Sequence, residues 1–311
     1  MKINLANIKK AKKLLIKSEC IGIPTETVYG LAGNAYSDRA CKKIFKLKKR
    51  PKNNPLIIHY YNCQKLKQDC YYNEDFYKLY KNFCPGPLTF ILNLKKNTKV
   101  SKIATNNKNT VAIRFPKHPI ARSLLKVLKF PLAAPSANLS SRVSAVCYSD
   151  VKEDFGKKIK FILNGGRSSI GVESTIIDLR NKPKILRLGG LEISSIQKVL
   201  NKKIILKNNP SKISVPGQLK LHYSPGIPIR LNVKKIKHNE AFLLIKKIKN
   251  KTKPNYYFLS KNGNLKEAAK NLYTTLRKIK KNKYKSIAVT KIPNKGLGRT
   301  INDRLKRASK F

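Results

Sequence analysis

The sequence predicts an α/β protein with a larger N-terminal domain, a linker and a smaller C-terminal domain. The chain has 311 residues, which is long for one hydrophobic core and suits two. Residues 1–205 alternate short apolar runs with amphipathic stretches, as strands and helices do in α/β domains. A segment rich in proline and glycine, residues 206–228, interrupts that alternation, and residues 229–311 resume it. We therefore expect domain boundaries at these positions.

The N-terminal domain is expected to contain a twisted sheet with parallel and antiparallel strands. Apolar residues recur at helical spacing from Ile8 to Leu15, and Ser37 can cap the next helix. Further helices are predicted at about residues 118–128 and 192–201. Strands are predicted at residues 20–23, 56–58, 88–92, 111–115, 132–134, 161–163, 175–179 and 185–188.

The linker is expected to lie against the protein, because Leu219, Leu221, His222 and Tyr223 are bulky residues in its middle. After it, the pattern predicts a small β-α-β domain of Rossmann-like type. Its strands are predicted at residues 242–245, 256–259 and 286–289, its first helix at residues 264–281, and its last helix after Gly298.

The charge of the chain is extreme, with 69 Lys+Arg against 15 Asp+Glu and a formal net charge of +54. A field of this sign attracts polyanions, so contact with tRNA or another RNA is one interpretation. The lysines are spread through helices and loops alike, so a compositional bias is the other interpretation. Residues 229–311 carry a net charge of +22, which makes the C-terminal part about twice as densely basic.

The remaining composition indicates a cytoplasmic protein that uses no membrane and no metal-binding cysteines. The longest apolar runs are the length of strands, and the basic N-terminal helix lacks the apolar core of a signal peptide. The six cysteines include no Cys-x-x-Cys pair, and only four histidines are present. Zinc sites and disulfides are therefore disfavoured, and reduced cysteines packed as small apolar side chains are expected.

Polar motifs follow or precede several predicted strands. Pro-Thr-Glu-Thr-Val-Tyr-Gly-Leu at residues 24–31 follows the first strand and offers hydroxyls, a carboxylate and a phenol to a ligand. Lys48 and Arg50 end the next helix at alternate positions, which suits contact with a polyphosphate. Arg114 lies in an apolar strand, where a guanidinium normally needs a buried anion. Polar turns also occur at residues 134–138 and 171–178, and Arg187 ends another strand.

Together, these motifs resemble the YrdC-like threonylcarbamoyl-AMP synthases. The resemblance rests on residues 24–31, Lys-x-Arg-Pro at 48–51, Asn-Pro-Leu-Ile at 54–57, Ser-x-Asn at 136–138 and Glu-Ser-Thr-Ile at 173–176. The segment from Pro216 to Pro225 and the terminal motif at residues 296–305 are similar to the long, two-domain form. The resemblance covers residues 5 to 309, and the motifs occur in order and at matching spacing.

The resemblance implies an L-threonylcarbamoyladenylate synthase, a nucleotidyltransferase that uses L-threonine, bicarbonate and ATP. Threonine would be carboxylated on nitrogen, and the carbamate would attack the α-phosphorus of ATP and release pyrophosphate. The product would serve a separate, transiently bound tRNA-modifying transferase complex in the formation of threonylcarbamoyladenosine (t6A) in ANN-decoding tRNAs. Mg²⁺ is expected on the phosphates of ATP, with no metal site built from protein side chains, because no acidic cluster occurs.

The resemblance also assigns roles to individual residues. Lys48 and Arg50 would be catalytic, acting on the phosphates. The residues expected around threonine are Thr27, His59, Arg114, Ala134 and Ser174. Those expected around ATP are Arg50, Asn54, Thr110, Ser136, Ser144, Arg187 and Tyr223. Arg114 would bind the threonine carboxylate, and Tyr223 would fold over the nucleotide as part of a lid that excludes water.

Some positions depart from the family pattern. Lys49 and Ser141 stand where glycine is usual, and residues 164–166 read Asn-Gly-Gly in place of an acidic version. Val215, Gln218 and Leu221 change the linker motif. None of these positions is assigned to a substrate.

Three other functions compete with the synthase. A non-catalytic protein that binds double-stranded RNA or tRNA would explain the charge, although no aromatic stacking set or RNA-binding signature is present. A carbamoyl transferase of the hydrogenase-maturation type is disfavoured, because its Cys-x-x-Cys zinc pairs and acylphosphatase-like module are missing. An ATP-dependent enzyme for another amino acid is the third, since serine differs from threonine by only one methyl group.

Overall fold

The computed structural model describes residues 3–207, 222–248 and 253–310. In these ranges the strands form two sheets. The first sheet contains β1 (Ile21–Ile23), β2 (Gly30–Asn34), β3 (Ile57–His59), β4 (Cys70–Tyr71), β5 (Leu88–Leu94), β6 (Thr110–Arg114), β7 (Leu132–Ala133), β8 (Thr175–Asp178), β9 (Lys184–Arg187) and β10 (Ile205–Leu206). The second contains β11 (Ile229–Arg230), β12 (Glu240–Lys246), β13 (Tyr256–Ser260) and β14 (Ser286–Val289).

The helices pack around these sheets, and their caps follow from local sequence. Ser37 accepts a hydrogen bond from the backbone N–H of Ala40, as predicted, and Asn264 caps the longest helix in the same way. The α-helices of the described ranges are α1 (Leu5–Ile16), α2 (Asp38–Lys48), α3 (Cys63–Leu66), α4 (Glu74–Phe83), α5 (Lys102–Thr105), α6 (Pro119–Val127), α7 (Tyr148–Phe155), α8 (Ile193–Leu200), α9 (Leu265–Lys281) and α10 (Leu297–Ala308). A short 3₁₀ helix, Gly156–Lys158, follows α7.

The first sheet is mixed, which confirms the predicted fold class. Its strand order is β1-β2-β7-β3-β6-β5-β8-β9-β10, with β4 paired to β5 outside this path. The pairs β3–β6, β5–β8 and β9–β10 are parallel, whereas the other neighbours are antiparallel. The second sheet is wholly parallel, in the order β11-β14-β12-β13, and carries α9 and α10. A parallel sheet with a helix, α9, between β13 and β14 is the expected Rossmann-like arrangement.

The two faces of the first sheet have different environments, because successive side chains of a strand point to opposite faces. Ile58, Phe90 and Ile113 belong to the main hydrophobic core of the N-terminal part. Their neighbours Ile57 and Ala112 belong to a small separate cluster on the opposite face. This second face carries the candidate site.

Several predicted elements differ from the structure. Residues 161–163 are not a strand, because Ile162 makes only an isolated bridge to Gly22. The last helix was predicted to follow Gly298, but it begins at Leu297 and includes Gly298. The residue before the helix is Gly296, whose φ of +46° is not helical. Helix α4 was not predicted, although Phe76, Leu79 and other apolar residues recur along it at helical spacing.

All six cysteines are free thiols, and Cys20, Cys41 and Cys70 are buried. Over the residues that the structure describes, no helix is both long and apolar enough to cross a membrane. The predicted linker, residues 206–228, falls largely outside the described residues, including Pro216, Gly217, Leu219 and the departures at Val215, Gln218 and Leu221.

Candidate active site

A pocket lies on the second face of the first sheet. It brings together most of the residues that the sequence predicts for the site. Those that line it are Arg50, His59, Arg114, Ala134, Ser136, Ser174, Arg187 and Tyr223. Their predicted contacts with threonine and ATP stay predictions.

Sequence reasoning missed other lining residues. Glu173 and His222 directly precede the predicted site residues Ser174 and Tyr223 in their motifs. This adjacency is the sequence feature that could have identified them. Thr25, Tyr29 and Gly30 lie in the motif at residues 24–31, which was quoted without giving these residues a role. The full set of missed lining residues is Thr25, Val28, Tyr29, Gly30, Ile57, Pro135, Glu173 and His222.

Strand register explains why residues from distant motifs meet here. His59 pairs with Arg114 across the parallel strands β3 and β6, so both side chains leave the sheet at the same level. Arg187 pairs with Ile176 across β8 and β9, close to Ser174. Arg187 donates from Nη2 to the Ser174 carbonyl at 2.8 Å and to Ser174 Oγ at 3.0 Å.

Arg114 has the buried anion that its position in an apolar strand requires, and that anion is Glu26. Arg114 Nη2 lies 2.7 Å from Glu26 Oε1, and both side chains are buried. Glu26 Oε2 also accepts a hydrogen bond from the backbone N–H of Lys117. A substrate carboxylate at Arg114 would therefore share the guanidinium with Glu26.

Arg50 is held by the segment that leads into β3. Its Nε donates to the Asn54 carbonyl at 2.8 Å, and its Nη2 donates to Asn54 Oδ1 at 2.6 Å. Burial and the neighbouring Arg187 lower the pKa of Arg50 to about 9. Two guanidinium groups that are buried close together favour an anion between them. Asn54 thus acts on the pocket through Arg50 and does not line it.

Lys48 lies behind the pocket wall. Its buried ammonium group donates to the carbonyls of Ser136 and Asn138, both at 2.5 Å. Burial, and then the charge of Arg50, lower the pKa of Lys48 well below its usual value. Lys48 therefore positions the Ser136–Asn138 segment, and its predicted contact with phosphate stays a prediction.

Several buried polar atoms at the pocket have no protein partner among the described residues. They include both ring nitrogens of His59, Nδ1 of His222 and the hydroxyl of Tyr223. Burial, followed by the charge of Arg114, lowers the pKa of His59 well below its usual value, so its imidazole is neutral. Buried polar groups normally have hydrogen-bond partners, so these atoms mark places where a polar ligand fits.

The other predicted residues lie outside the lining. Thr27 is buried, with its hydroxyl 2.9 Å from that of Thr25. Ser144 is also buried and donates to Glu173 at 2.6 Å. Thr110 is half-buried at the start of β6, four residues before Arg114, and the structure does not bring it to the pocket.

The two departures from glycine occur at left-handed backbone positions. Lys49 ends α2 with a φ of +50°, and Ser141 has a φ of +65°. Glycine takes such conformations without the steric cost that a Cβ atom brings. Lys49 and Ser141 thus keep the left-handed backbone that explains why glycine is usual at these two positions in the family pattern.

Comparison with known proteins identifies relatives over the whole chain. A family model described as telomere recombination (Sua5_yciO_yrdC) matches residues 13–189, and a second, the threonylcarbamoyl-AMP synthase C-terminal domain, matches residues 191–310. The chain is 35% identical to a threonylcarbamoyl-AMP synthase of Pyrococcus abyssi, over 98% of this chain and 94% of the relative. It is 34% identical to that of Bacillus subtilis, with the same shares covered. The crystal structure of P. abyssi Sua5 with L-threonine superposes with a TM-score of 0.91 at 33% identity, covering 99% of this chain and 96% of the other.

Proposed function

Because the chain belongs to the threonylcarbamoyl-AMP synthase family in its long, two-domain form, we propose that it converts L-threonine, bicarbonate and ATP to threonylcarbamoyl-AMP and pyrophosphate. One observation carries the proposal. The pocket combines three arginines, Arg50, Arg114 and Arg187, with a neutral His59 whose ring nitrogens have no partner in the described part of the chain. This combination suits an amino acid and a triphosphate bound side by side.

The reaction needs two bond-forming steps. The amine of threonine attacks bicarbonate, which gives the N-carboxylate and releases water. A carbamate oxygen then attacks the α-phosphorus of ATP, and the bond to the β-phosphate breaks to release pyrophosphate. No covalent enzyme intermediate is required, so the protein contributes position and charge.

The threonine half of the pocket is proposed at Arg114, His59, Ala134 and Ser174, with Thr27 behind it. Arg114 is fixed by Glu26 before any ligand binds, so its guanidinium loses little freedom on binding a carboxylate. The unpartnered nitrogens of His59 lie at the same level of the sheet. They fit a hydrogen bond to the substrate and do not require His59 to act as a base.

The ATP half is proposed at Arg50, Ser136, Arg187 and Tyr223. Lys48 supports Ser136 and Asn54 supports Arg50 through the hydrogen bonds described above, and Ser144 donates to Glu173, another residue of the pocket lining. Thr110 is assigned to this half by the family resemblance alone. Arg50 is the proposed catalytic residue, in contact with the phosphates. Lys48, also predicted as catalytic, is proposed to act by positioning the segment that carries Ser136.

Mg²⁺ would be bound through the phosphates of ATP. Glu173, which lines the pocket, and Glu26, the partner of Arg114, already accept hydrogen bonds from arginines and are poor candidates for metal ligands. When bound, the ion would neutralise phosphate charge during pyrophosphate release. Bicarbonate is the proposed source of the carboxyl group.

Water must be excluded, because the carbamate and the mixed anhydride both hydrolyse. Tyr223 is 1% exposed and lies over Arg304, with the guanidinium 4.7 Å from the centre of its ring. This buried position supports a lid role for the end of the linker. The proposed division is therefore a catalytic domain at residues 1–205, a linker and lid at 206–228, and a second domain at 229–311.

The proposed product would pass to a tRNA-modifying transferase complex, as the first step of t6A formation in ANN-decoding tRNAs. Cytoplasmic location and direct contact with tRNA are parts of the same proposal. The net charge of +54 supports the contact with tRNA.

The test is an assay of the purified chain with ATP, Mg²⁺, bicarbonate and threonine. Pyrophosphate release is followed together with mass spectrometry of the nucleotide product. We expect release that requires both threonine and bicarbonate, with threonylcarbamoyl adenylate in the spectrum. Two results would overturn the proposal. One is release of pyrophosphate when threonine or bicarbonate is left out, and the other is the absence of the adenylate product from a folded sample that binds ATP.

A non-catalytic protein that binds double-stranded RNA or tRNA is the second candidate, and the net charge of +54 favours it. For this candidate, the same assay should show no threonine-dependent release of pyrophosphate. RNA binding that weakens steeply with salt, without threonine-dependent turnover of ATP, would favour it.

A further inference from the structure

Several contacts join the second domain to the pocket, and the polar one centres on the buried carboxylate of Glu173. Glu173 lines the pocket and is 6% exposed. Ser144, from the N-terminal part, donates to its Oε1 at 2.6 Å. The other donors come from the C-terminal helices. Tyr273 of α9 donates its hydroxyl to Oε2 at 2.8 Å, and Arg304 of α10 donates from Nε to Oε2 at 2.8 Å.

Arg304 is built into this position from several sides. It is 1% exposed, and its Nη2 donates to the Leu188 carbonyl at 2.6 Å, while its Nη1 lies 2.6 Å from Asp303. Thr300, one turn earlier on α10, donates to the Gly189 carbonyl at 3.0 Å. Helix α10 therefore docks on the end of β9, next to the pocket, through buried polar contacts.

The contact matters because Glu173 is negatively charged at the edge of a pocket built for anions. Burial alone would raise the pKa of Glu173, but the charges of Arg304 and Arg187 and the hydrogen bond from Ser144 lower it to about 2. Glu173 is therefore ionised at neutral pH. Without Arg304, its charge would oppose a bound polyphosphate and compete for the pocket arginines.

We propose that Arg304 and Tyr273 are positioning residues for nucleotide binding, which neutralise and orient Glu173 so that the pocket stays attractive to the phosphates of ATP. The second domain then completes the ATP half of the site without touching the substrate. This inference rests on the proposed function for the identity of the nucleotide. The coupling of Arg304 to anion binding through Glu173 can be measured without turnover.

The experiment measures the binding of Mg²⁺–ATP by calorimetry, and the KM and kcat of pyrophosphate release, for the full chain and its variants. Arg304→Gln is expected to raise the Kd for ATP roughly tenfold or more, because it removes the ion-pair partner of the buried Glu173 carboxylate. The double variant Glu173→Gln/Arg304→Gln is expected to bind ATP within about threefold of the wild type, because it removes both charges. Arg299→Gln, an exposed position on the same helix, removes the same charge and is expected to leave the Kd unchanged.

A purely structural role of Arg304 would make the losses of ATP affinity in the two single variants add in the double variant. Recovery of ATP affinity in the double variant therefore indicates that Arg304 acts through the charge of Glu173. Additive losses, or an unchanged Kd in Arg304→Gln, would overturn the proposal. If Arg304→Gln does not fold, Tyr273→Phe removes one donor to Glu173 and is expected to raise the Kd about threefold, again with recovery when combined with Glu173→Gln. A wild type that binds ATP but shows no threonine-dependent turnover would overturn the proposed function and leave the binding comparison intact.

Discussion

Two buried pairs of glutamate and arginine flank the pocket, and they are built in different ways. Glu26 and Arg114 meet at 2.7 Å, and both belong to the larger sheet and its loops. Glu173 and Arg304 meet at 2.8 Å, but the arginine comes from the last helix of the second domain, 131 positions further along the chain. The chemistry of the two pairs is the same, whereas their structural origin differs.

The difference shows how the two halves of the pocket depend on the rest of the molecule. Arg114 is placed by the register of β3, β5 and β6, so folding of the first sheet is sufficient to orient it. Glu173 has a partner in its own domain, Ser144, but it keeps Tyr273 and Arg304 only while α9 and α10 are docked. The proposed threonine half is thus fixed within one domain, and the proposed ATP half depends on the interface between two.

The largest expected effect tests the pair inside the first sheet. Arg114→Ala is expected to lower kcat/KM about 1,000-fold for pyrophosphate release, because it removes the proposed carboxylate partner and leaves Glu26 buried without its cation. The loss should appear mainly in the KM for threonine, and calorimetry with threonine alone should show no binding.

Lys117→Ala is the matched control, because it removes an exposed cation nearby while its backbone N–H still donates to Glu26. This variant is expected to behave as the wild type. If a folded Arg114→Ala variant still binds threonine, the threonine carboxylate binds elsewhere. The Glu26–Arg114 pair would then not define the threonine half of the pocket.

The second largest effect concerns Glu173 and Arg304, the pair across the interface. The free energy of unfolding should depend on pH because of the carboxyl group of Glu173. The pKa of Glu173 is lowered to about 2, from an ordinary value of 4.5. A carboxyl group with a lowered pKa stabilises the fold fully above its ordinary pKa, and this contribution is lost as the pH falls toward the folded value. Between pH 4.5 and 2, the wild type should therefore lose about 3 kcal/mol of unfolding free energy that Glu173→Gln does not lose.

Urea denaturation of the two proteins at pH 7, 4.5 and 2.5 gives this comparison directly. The free energies of unfolding should converge as the pH falls, because the wild type loses the ionised form of Glu173. Parallel pH profiles would show that the charge of Glu173 contributes nothing to stability, and that the interface depends on its other contacts.

Much of this fold could be predicted from local patterns. Strands such as β6 and helices such as α9 have strong periodicity and clear caps, so their positions agree with the sequence within one or two residues. The segment at residues 161–163 is apolar in the same way, yet it makes only one bridge. Whether a short apolar run pairs as a strand depends on a partner that the local sequence does not contain.

The site shows the same limit more clearly. Most predicted residues line the pocket, because motifs next to strand ends lie on one sheet face. The roles of Lys48 and Arg304 could not be derived from spacing, since each depends on acceptors far along the chain. In a chain with 69 basic residues, composition does not distinguish a buried cation with a fixed partner from the exposed ones.

The smallest expected effect concerns the other end of the strand that carries Arg114. Thr110 begins β6, four residues before Arg114, which places it about 13 Å away at the usual rise of a strand. Thr110→Ala is therefore expected to change the KM for ATP less than twofold, whereas Ser136→Ala, at the pocket wall, should raise it about fivefold. Steady-state kinetics of both variants at saturating threonine measures the difference. An equal rise in the two variants would mean that the nucleotide extends along β6 to its first residue, and the ATP half would then depend on the first sheet more than on the interface.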